Sequence, residues 1–456
     1  MERRANAMSL SLRQKLRYAS GNYGKSVMWN ALELFLLFYL TDVLGIPPAI
    51  AGMIVFVSLA WDGITDPLVG YLVDRHVLKG GTYKPFLVAG PPFTALAFVT
   101  IFVDLPADMA TKISFVVAAN LLFRTLYTFF DVPHNALLAR VTADGRERTT
   151  LAGMRITFSS LGSVTAALGI APVLMGATAV EESERFLIFA IATAALSALV
   201  LWQSMRIHDQ VALQTVTEPP RRSLPVAQFL RTIFSNRDMV LLIVIGVWVS
   251  FTLPIFAKFL SYFAKYNLAR EDWVSPLVLV MMAGQVLGLP VWIKIAGRIA
   301  KARASQIAHL SVLGVTSVLL LTAVDAFWLL VPIVFVAGVG VGGVYMLSWA
   351  MSPDAVESLE LASGQRLEAG YFSFHTFTQK LSMGAGAGVA GYLLGLSDFD
   401  AATAVGPDSL MAIKAIMCLM PAAGAVGAVV ALNAYRIDHG RHDQTVRALG
   451  RDQARS

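Results

Sequence analysis

The chain has 456 residues, of which 56% are hydrophobic and only 14% charged, and its mean hydropathy is +0.64. Soluble domains carry about a quarter charged residues, so this composition excludes a soluble enzyme, a disordered scaffold and a disulfide-stapled secreted domain. The net charge of +6 indicates basic cytoplasmic loops rather than a nucleic-acid surface, and no nucleic-acid partner is expected.

Apolar windows of bilayer-spanning length recur along the chain, since a spanning helix needs about 20 residues. The first six are 23–44, 49–73, 86–103, 113–138, 150–175 and 186–205. The second six are 239–263, 274–293, 307–324, 327–351, 370–396 and 410–434. These windows are longer than the strands of a membrane barrel, about ten residues each. We therefore predict an all-α integral membrane protein with twelve transmembrane helices.

A polar, Pro- and Arg-rich segment separates the two sets of six windows. It predicts an N-terminal six-helix bundle at 1–206, a cytoplasmic linker at 207–237, and a C-terminal six-helix bundle with a short cytoplasmic tail at 238–456. Basic residues follow the second, fourth and eighth windows and fill the tail, whereas alternate loops are acidic or neutral. The positive-inside rule therefore predicts that both termini are cytoplasmic, and a bacterial inner membrane is the expected location.

The informative residues inside the apolar windows are seven ionisable ones: Glu33, Asp62, Asp66, Arg124, Asp131, Arg155 and Lys380. Each costs about 2.5–3.5 kcal/mol at a helix centre, so these groups must pair across helices or face water. They could be structural ion pairs, but intramembrane charge more often marks a transport path.

Asp62 and Asp66 are four residues apart, which places both carboxylates on one face of the second helix. Two such carboxylates resist full ionisation together unless a cation lies between them. The pair predicts a site for a monovalent cation or a proton. Alternatively, Asp66 could cap a helix that Pro67 breaks.

The fourth helix carries a second polar face. Arg124, Tyr127, Thr128 and Asp131 follow the spacing of one helix face. Polar residues on one face inside an apolar window indicate water or a ligand. Thr128 could add an oxygen to a cation site, because hard cations prefer oxygen ligands.

Several sequence blocks keep the order and spacing of a known family. They are FYLTDVLG (38–45), WDGITDPLVG (61–70), YTFFDVPHNAL (127–137), RERTTLAGMR (146–155) and DAVESLELASGQRLEAG (354–370). Together they resemble the glycoside–pentoside–hexuronide:cation symporters, the melibiose-permease family of the major facilitator superfamily. The resemblance implies two pseudo-symmetric bundles and import of a sugar or glycoside by alternating access, coupled to Na⁺ or H⁺, without another cofactor.

The resemblance also implies roles for individual residues. Its cation site falls on Asp62, Asp66 and Thr128, and the two aspartates would be Na⁺ ligands if the protein is sodium-coupled. The segment 70–75 resembles the cytoplasmic gate of the superfamily, with Asp74 and Arg75 as paired charges. Alternatively, the same residues could form an ordinary solvated turn. It also places an acidic sugar-facing residue at Asp131, an arginine at Arg155 and a lysine at Lys380. With other polar and aromatic residues of the same windows, the candidate substrate-binding residues are Ser26, Glu33, Arg124, Tyr127, Asp131, Asn135, Arg155, Tyr345, His375, Thr376 and Lys380.

The chain departs from the melibiose-type pattern in its substrate region. Ser26 stands in place of an acid and Asn135 in place of a tryptophan, while Arg124 is additional. Because guanidinium groups recognise carboxylate, sulfonate or phosphate, we hypothesise an anionic sugar such as a hexuronide or sulfosugar. Glu33 could replace the lost acid or pair with Arg124, and the pairing is the preferred interpretation.

Other functions remain as alternatives. The same pattern would suit a cation-coupled transporter of a non-sugar substrate, such as a lysolipid or a small organic anion. A membrane enzyme would need a nucleophile with a base or a metal-ligand set, neither of which appears, so no enzymatic activity is expected. The expected partners are a small-molecule substrate, a monovalent cation and the lipid bilayer, and the protein is expected to be a monomer.

Overall fold

The structure is a computed structural model of the chain. It describes residues 10–78, 83–136, 145–170, 173, 179–205, 226–322, 326–364, 368–401, 405–437, 440, 444–445 and 448. The first half contains α1 (Leu12–Phe38), α2 (Pro48–Leu78), α3 (Lys84–Ile101), α4 (Met109–Ala136), α5 (Gly145–Gly169) and α6 (Ala179–Met205). After the short α7 (Val226–Ser235), the second half contains α8 (Arg237–Tyr262), α9 (Val274–Ala296), α10 (Lys301–Leu321), α11 (Phe327–Ser363), α12 (Glu368–Gly395) and α13 (Pro407–Asn433).

Ten described helices are long and apolar enough to cross a membrane. With α5 and α12, of 25 and 28 residues, the long helices in the described residues number twelve. The prediction of an all-α membrane protein is therefore confirmed. These two helices are the less apolar ones because α5 begins with a charged turn and carries Arg155, while α12 carries Lys380 among glycines and hydroxyl side chains.

The chain divides into two compact units. The first comprises residues 1–46 and 60–221, and the second comprises residues 47–59 and 222–456. In the first unit α1 packs on α5 and α6, and α3 packs on α4 and α6. An aromatic cluster fills its core, where Tyr39 lies 5.0 Å from both Phe102 and Phe186, measured between ring centres.

The second unit has its own core of buried side chains from α8, α10, α11 and α13. On its edge, the Trp292 indole donates a hydrogen bond of 2.8 Å to the carbonyl of Val339, joining α9 to α11. Gly284 and Gly338 let the backbones of these two helices lie in direct contact, because a Cβ at either position would meet the opposite main chain.

The first helix of each half ends in the same way. A π-helical turn follows α1 at Tyr39–Val43 and α8 at Phe263–Asn267. A residue with positive φ comes next, Gly45 at 65° and Ala269 at 53°, 224 residues apart (45 to 269). Left-handed backbone costs an alanine about 1–2 kcal/mol, so the conformation at Ala269 is held by its surroundings. This shared ending supports two pseudo-symmetric halves.

Gly162 allows α5 to lie directly against α1. A Cβ at this position would be 2.6 Å from the carbonyl oxygen of Tyr23 and 2.8 Å from Cβ of Ser26. The close approach matters for function because α1 and α5 both carry predicted site residues, and short side chains bridge them only if the backbones are near.

We expect Gly162→Ala to lower the melting temperature (Tm) of the purified protein, because overpacking a close contact costs about 1–3 kcal/mol. Gly314→Ala on α10 is the matched control, since a Cβ there meets nothing within 4 Å. Alanine should hold or raise Tm at that position, because it favours a helix over glycine by about 0.5–1 kcal/mol. Equal effects of the two substitutions would show that α1 and α5 do not need this close approach.

Candidate functional site

Oxygen atoms from α2 and α4 converge inside the first unit. Thr128 Oγ1 lies 3.2 Å from Asp62 Oδ1, 3.1 Å from Asp66 Oδ1 and 3.0 Å from the carbonyl oxygen of Arg124. A threonine hydroxyl has one proton and cannot donate fully to three acceptors. Four oxygens in this arrangement are the ligand type that a hard cation prefers. Asp62 and Thr128 are buried, so bulk water does not compensate their charge and polarity.

Local structure of α2 produces the carboxylate pair. The spacing of four residues puts Asp62 and Asp66 one turn apart on the same face. The helix runs through Pro67 and ends only at Leu78, so Asp66 does not cap a broken helix. Pro67 has no N–H, which leaves the carbonyl of Gly63 without its usual helical donor close to the site.

Arg124 is fully buried beside this cluster. Its Nη2 donates to Glu33 Oε1 at 2.9 Å, and its Nη1 lies 3.9 Å from Asp62 Oδ2. The guanidinium carbon lies 4.5 Å from the centre of the Trp29 ring, a cation–π contact. The preferred sequence interpretation, a Glu33–Arg124 pair, is present, and it places Arg124 at the cation cluster.

A second polar cluster joins α1, α4 and α5. Lys25 Nζ lies 2.6 Å from Asp131 Oδ1 and 3.0 Å from Asn135 Oδ1. Arg155 donates to Asn22 Oδ1 at 2.9 Å and to the side-chain oxygen of Asn135. Asn135 in turn donates to Asp131 Oδ2 at 2.7 Å. The cluster thus holds two cationic side chains and one carboxylate, and Asn135 is exposed.

Sequence reasoning missed Lys25 and Asn22. Lys25 is buried within the first apolar window, so the cost of intramembrane charge selects it as strongly as it selects Arg155. The same argument applies to Lys258, which is buried near the C-terminal end of α8. Asn22 carries no charge and gives no such signal.

The other predicted residues of the first unit have packing or bridging positions. Ser26 Oγ donates to Ser159 Oγ at 2.9 Å and ties α1 to α5. Tyr127 is buried with its ring centre 5.6 Å from both Trp29 and Phe123. The side chains of the gate pair Asp74 and Arg75 on α2 lie outside the described residues.

The predicted residues of the second unit lie on α11 and α12. Tyr345 packs partly buried against the core of that unit. His375 is buried, and its ring centre lies 5.6 Å from that of Tyr371 and 5.5 Å from that of Trp349. Its ring also packs against Gly246, where an added Cβ would lie 2.6 Å from it. Thr376 and Lys380 follow on α12 and are partly buried.

A family model described as MFS/sugar transport protein matches residues 17–439. The chain belongs to this family. The "Uncharacterized symporter YjmB" of Bacillus subtilis is 27% identical over 96% of this chain and 95% of its own. The "Putative glycoside/cation symporter YagG" of Escherichia coli is 25% identical over 98% and 96%. The "Sodium-dependent lysophosphatidylcholine symporter 1-A" of Danio rerio is 26% identical over 97% and 88%.

Solved structures agree on the fold. The nucleoside transporter NupG, as its D323A mutant, superposes with a TM-score of 0.69 over 93% of this chain and 100% of its own, at 15% identity. The predicted major-facilitator fold is confirmed. This member of the MFS/sugar transport family is an integral membrane transporter and not an enzyme.

The Lys25–Asp131 pair should show strong energetic coupling. We expect Lys25→Met and Asp131→Asn each to lower Tm, because each leaves a partly desolvated charge without its partner. The double variant should lose less than the sum of the two, with a coupling free energy of about 0.5–3 kcal/mol. Thermal unfolding of the four proteins in one detergent gives this double-mutant cycle. Additive losses would mean that the pair contributes no net interaction.

Proposed function

We propose that the chain is a cation-coupled symporter that imports a sugar or glycoside by alternating access. One observation carries the proposal: α4 contributes one residue to each polar cluster. Thr128 belongs to the cation cluster and Asp131 to the second cluster, and they are only three residues apart. This separation is about one helical turn, or 4.5 Å of rise. A cation bound by Asp62, Asp66 and Thr128 therefore changes the potential at Asp131. By reciprocity, a substrate bound near Asp131 must tighten cation binding equally.

The second cluster supplies groups that suit a sugar. The carboxylate of Asp131 can accept hydrogen bonds from hydroxyl groups, and the amide of Asn135 can both accept and donate them, while Arg155 and Lys25 donate only. The guanidinium of Arg155 lies over the ring of Tyr18, 5.6 Å from the ring centre. The hydroxyl of Tyr18 donates to the carbonyl oxygen of His134 at 3.1 Å. The family description and the name of the glycoside/cation relative support a sugar as the substrate class.

The charge of the second cluster favours an anionic substrate. In the described part of the chain, Lys25 pairs with the carboxylate of Asp131, while Arg155 donates to the amide oxygens of Asn22 and Asn135. A desolvated cation is stabilised by a matching anion, and guanidinium binds carboxylate or sulfonate in a bidentate manner. Arg124, the residue on which the sequence hypothesis rested, is buried against Glu33 and Asp62, so we assign the preference to Arg155 and Lys25.

The coupling cation is proposed to be Na⁺ or H⁺. Four converging oxygens suit Na⁺, and protonation of one aspartate of the pair would serve the same charge role for H⁺. We further propose a monomer in a bacterial inner membrane with both termini in the cytoplasm, as the loop charges indicate. In the described residues, six long helices end by residue 205 and six begin at residue 237 or later, which supports the proposed bundle boundaries.

Asp62→Asn should abolish cation-driven accumulation, because the cation cluster loses one of its two carboxylates. A thermal-shift screen with neutral glycosides, hexuronides and lysophosphatidylcholine, each in Na⁺ and in choline, first identifies the substrate. Uptake into proteoliposomes under an imposed Na⁺ or H⁺ gradient then compares the variant with the wild type. Asp104→Asn is the control, since Asp104 pairs with Lys112 next to a loop, away from both clusters. Normal accumulation by Asp62→Asn would refute the cation site.

A charged substrate should outcompete its uncharged parent. We expect a hexuronide to displace bound substrate at least about tenfold better than the corresponding neutral sugar, the effect of about one charged hydrogen bond. Arg155→Gln should remove this preference, whereas Arg185→Gln, on α6, should keep it. Equal competition by the two compounds in the wild type would return the proposal to a neutral glycoside. A response to lysophosphatidylcholine alone would favour the lysolipid alternative.

A further inference from the structure

Arg124 is a positive charge fixed to the protein next to the proposed cation site. Its Nη1 is 3.9 Å from Asp62 Oδ2, and its Nη2 is 2.9 Å from Glu33 Oε1. Arg124 and Asp62 are each 1% exposed at the side chain, and Glu33 is 10% exposed. This buried guanidinium therefore lies beside the carboxylates of Glu33 and Asp62, and of these two Asp62 belongs to the cation cluster.

The two contacts differ in kind. The contact with Glu33 has hydrogen-bond length, whereas the contact with Asp62 is an ion pair without a hydrogen bond. Glu33 and Trp29 are four residues apart on α1, so both sit on the helix face that holds the guanidinium. Contacts from α1 thus position Arg124, whose Nη1, at 3.9 Å from Asp62 Oδ2, lies beyond the range of about 2.7–3.2 Å for a hydrogen bond.

A guanidinium stays charged under all conditions in which proteins fold. A metal cation that approaches the carboxylate of Asp62 is therefore repelled by a guanidinium fixed beside it. How close the guanidinium lies to Glu33 and how close to Asp62 therefore determines how strongly Asp62 attracts a bound cation.

We propose that Arg124 is an internal competitor of the coupling metal cation, held partly away from Asp62 by Glu33, and that this balance sets cation affinity. The inference rests on the proposed cation site. The side chain of Arg124 is not a ligand of the cation. It acts on the cation through Asp62, whose negative charge it partly balances. The main-chain carbonyl of Arg124 accepts a hydrogen bond of 3.0 Å from Thr128 Oγ1, so the backbone of Arg124 lies one turn of α4 from this member of the site.

The test is Na⁺ and Li⁺ binding to the purified full-length protein, measured by calorimetry and by cation-dependent thermal shift. The variants are Glu33→Gln, Arg124→Gln and the double variant. Glu33→Gln should weaken cation binding by about tenfold or more, because Arg124 is then free to pair fully with Asp62. Arg124→Gln should tighten binding by about tenfold or more for the opposite reason.

The double variant decides the matter, because it removes the Glu33–Arg124 pair without leaving either charge unpaired. It should bind Na⁺ more tightly than the wild type. A purely structural role predicts that both single variants weaken binding and that the double variant recovers wild-type affinity at most. A double variant with wild-type or weaker affinity would overturn the inference even if Arg124→Gln alone does not fold.

Asp62→Asn separates failure of the inference from failure of the proposed function. If Asp62→Asn abolishes the Na⁺ response and the double variant is not tighter, only the inference fails. If Asp62→Asn keeps the wild-type response, the proposed cation site is wrong and the inference falls with it. A wild type and double variant that both ignore Na⁺ and Li⁺ would overturn the inference and the sodium form of the proposal together.

Discussion

An ionised side chain within an apolar helix bundle is stable only when it meets an opposite charge, a set of hydrogen-bond partners or water. The polar interior of the first unit follows from this constraint. Arg124 lies between Glu33 and Asp62, and Lys25 lies against Asp131. These pairs join α1 to α4 and α4 to α2, so the charges that would carry transport also fix how the helices of the unit are rotated against each other.

The fourth helix is the element that connects the two polar clusters. Along one face it presents Arg124, Thr128 and Asp131. Arg124 contacts the acid of α1, Thr128 contacts the acids of α2, and Asp131 contacts the lysine of α1. A helix is rigid over one turn, so a change of charge or position at Thr128 cannot leave Asp131 unaffected. In the proposed mechanism, coupling between a cation and a substrate needs no long pathway, because the two clusters are neighbours on one helix.

Close backbone contact is the second requirement of this site. Gly162 brings α5 onto α1, and across that contact the short side chains of Ser26 and Ser159 meet. The same contact lets Arg155 donate to the amide oxygens of Asn22 and Asn135. These amides orient the guanidinium, which is the anion-recognising group of the proposed function.

The sequence by itself determined the membrane environment, the number of long helices and the paired aspartates of α2. These features follow from composition and from local helical periodicity, which a single chain segment carries on its own. Only the tertiary structure decided which charges meet. Lys25 proved to be the partner of Asp131, and Arg124, a candidate substrate residue by its position on the face of Asp131, is buried between Glu33 and Asp62. Pairing across helices depends on the rotation and height of each helix, and these are set by packing contacts such as Gly162 against Tyr23, which no periodicity within one segment records.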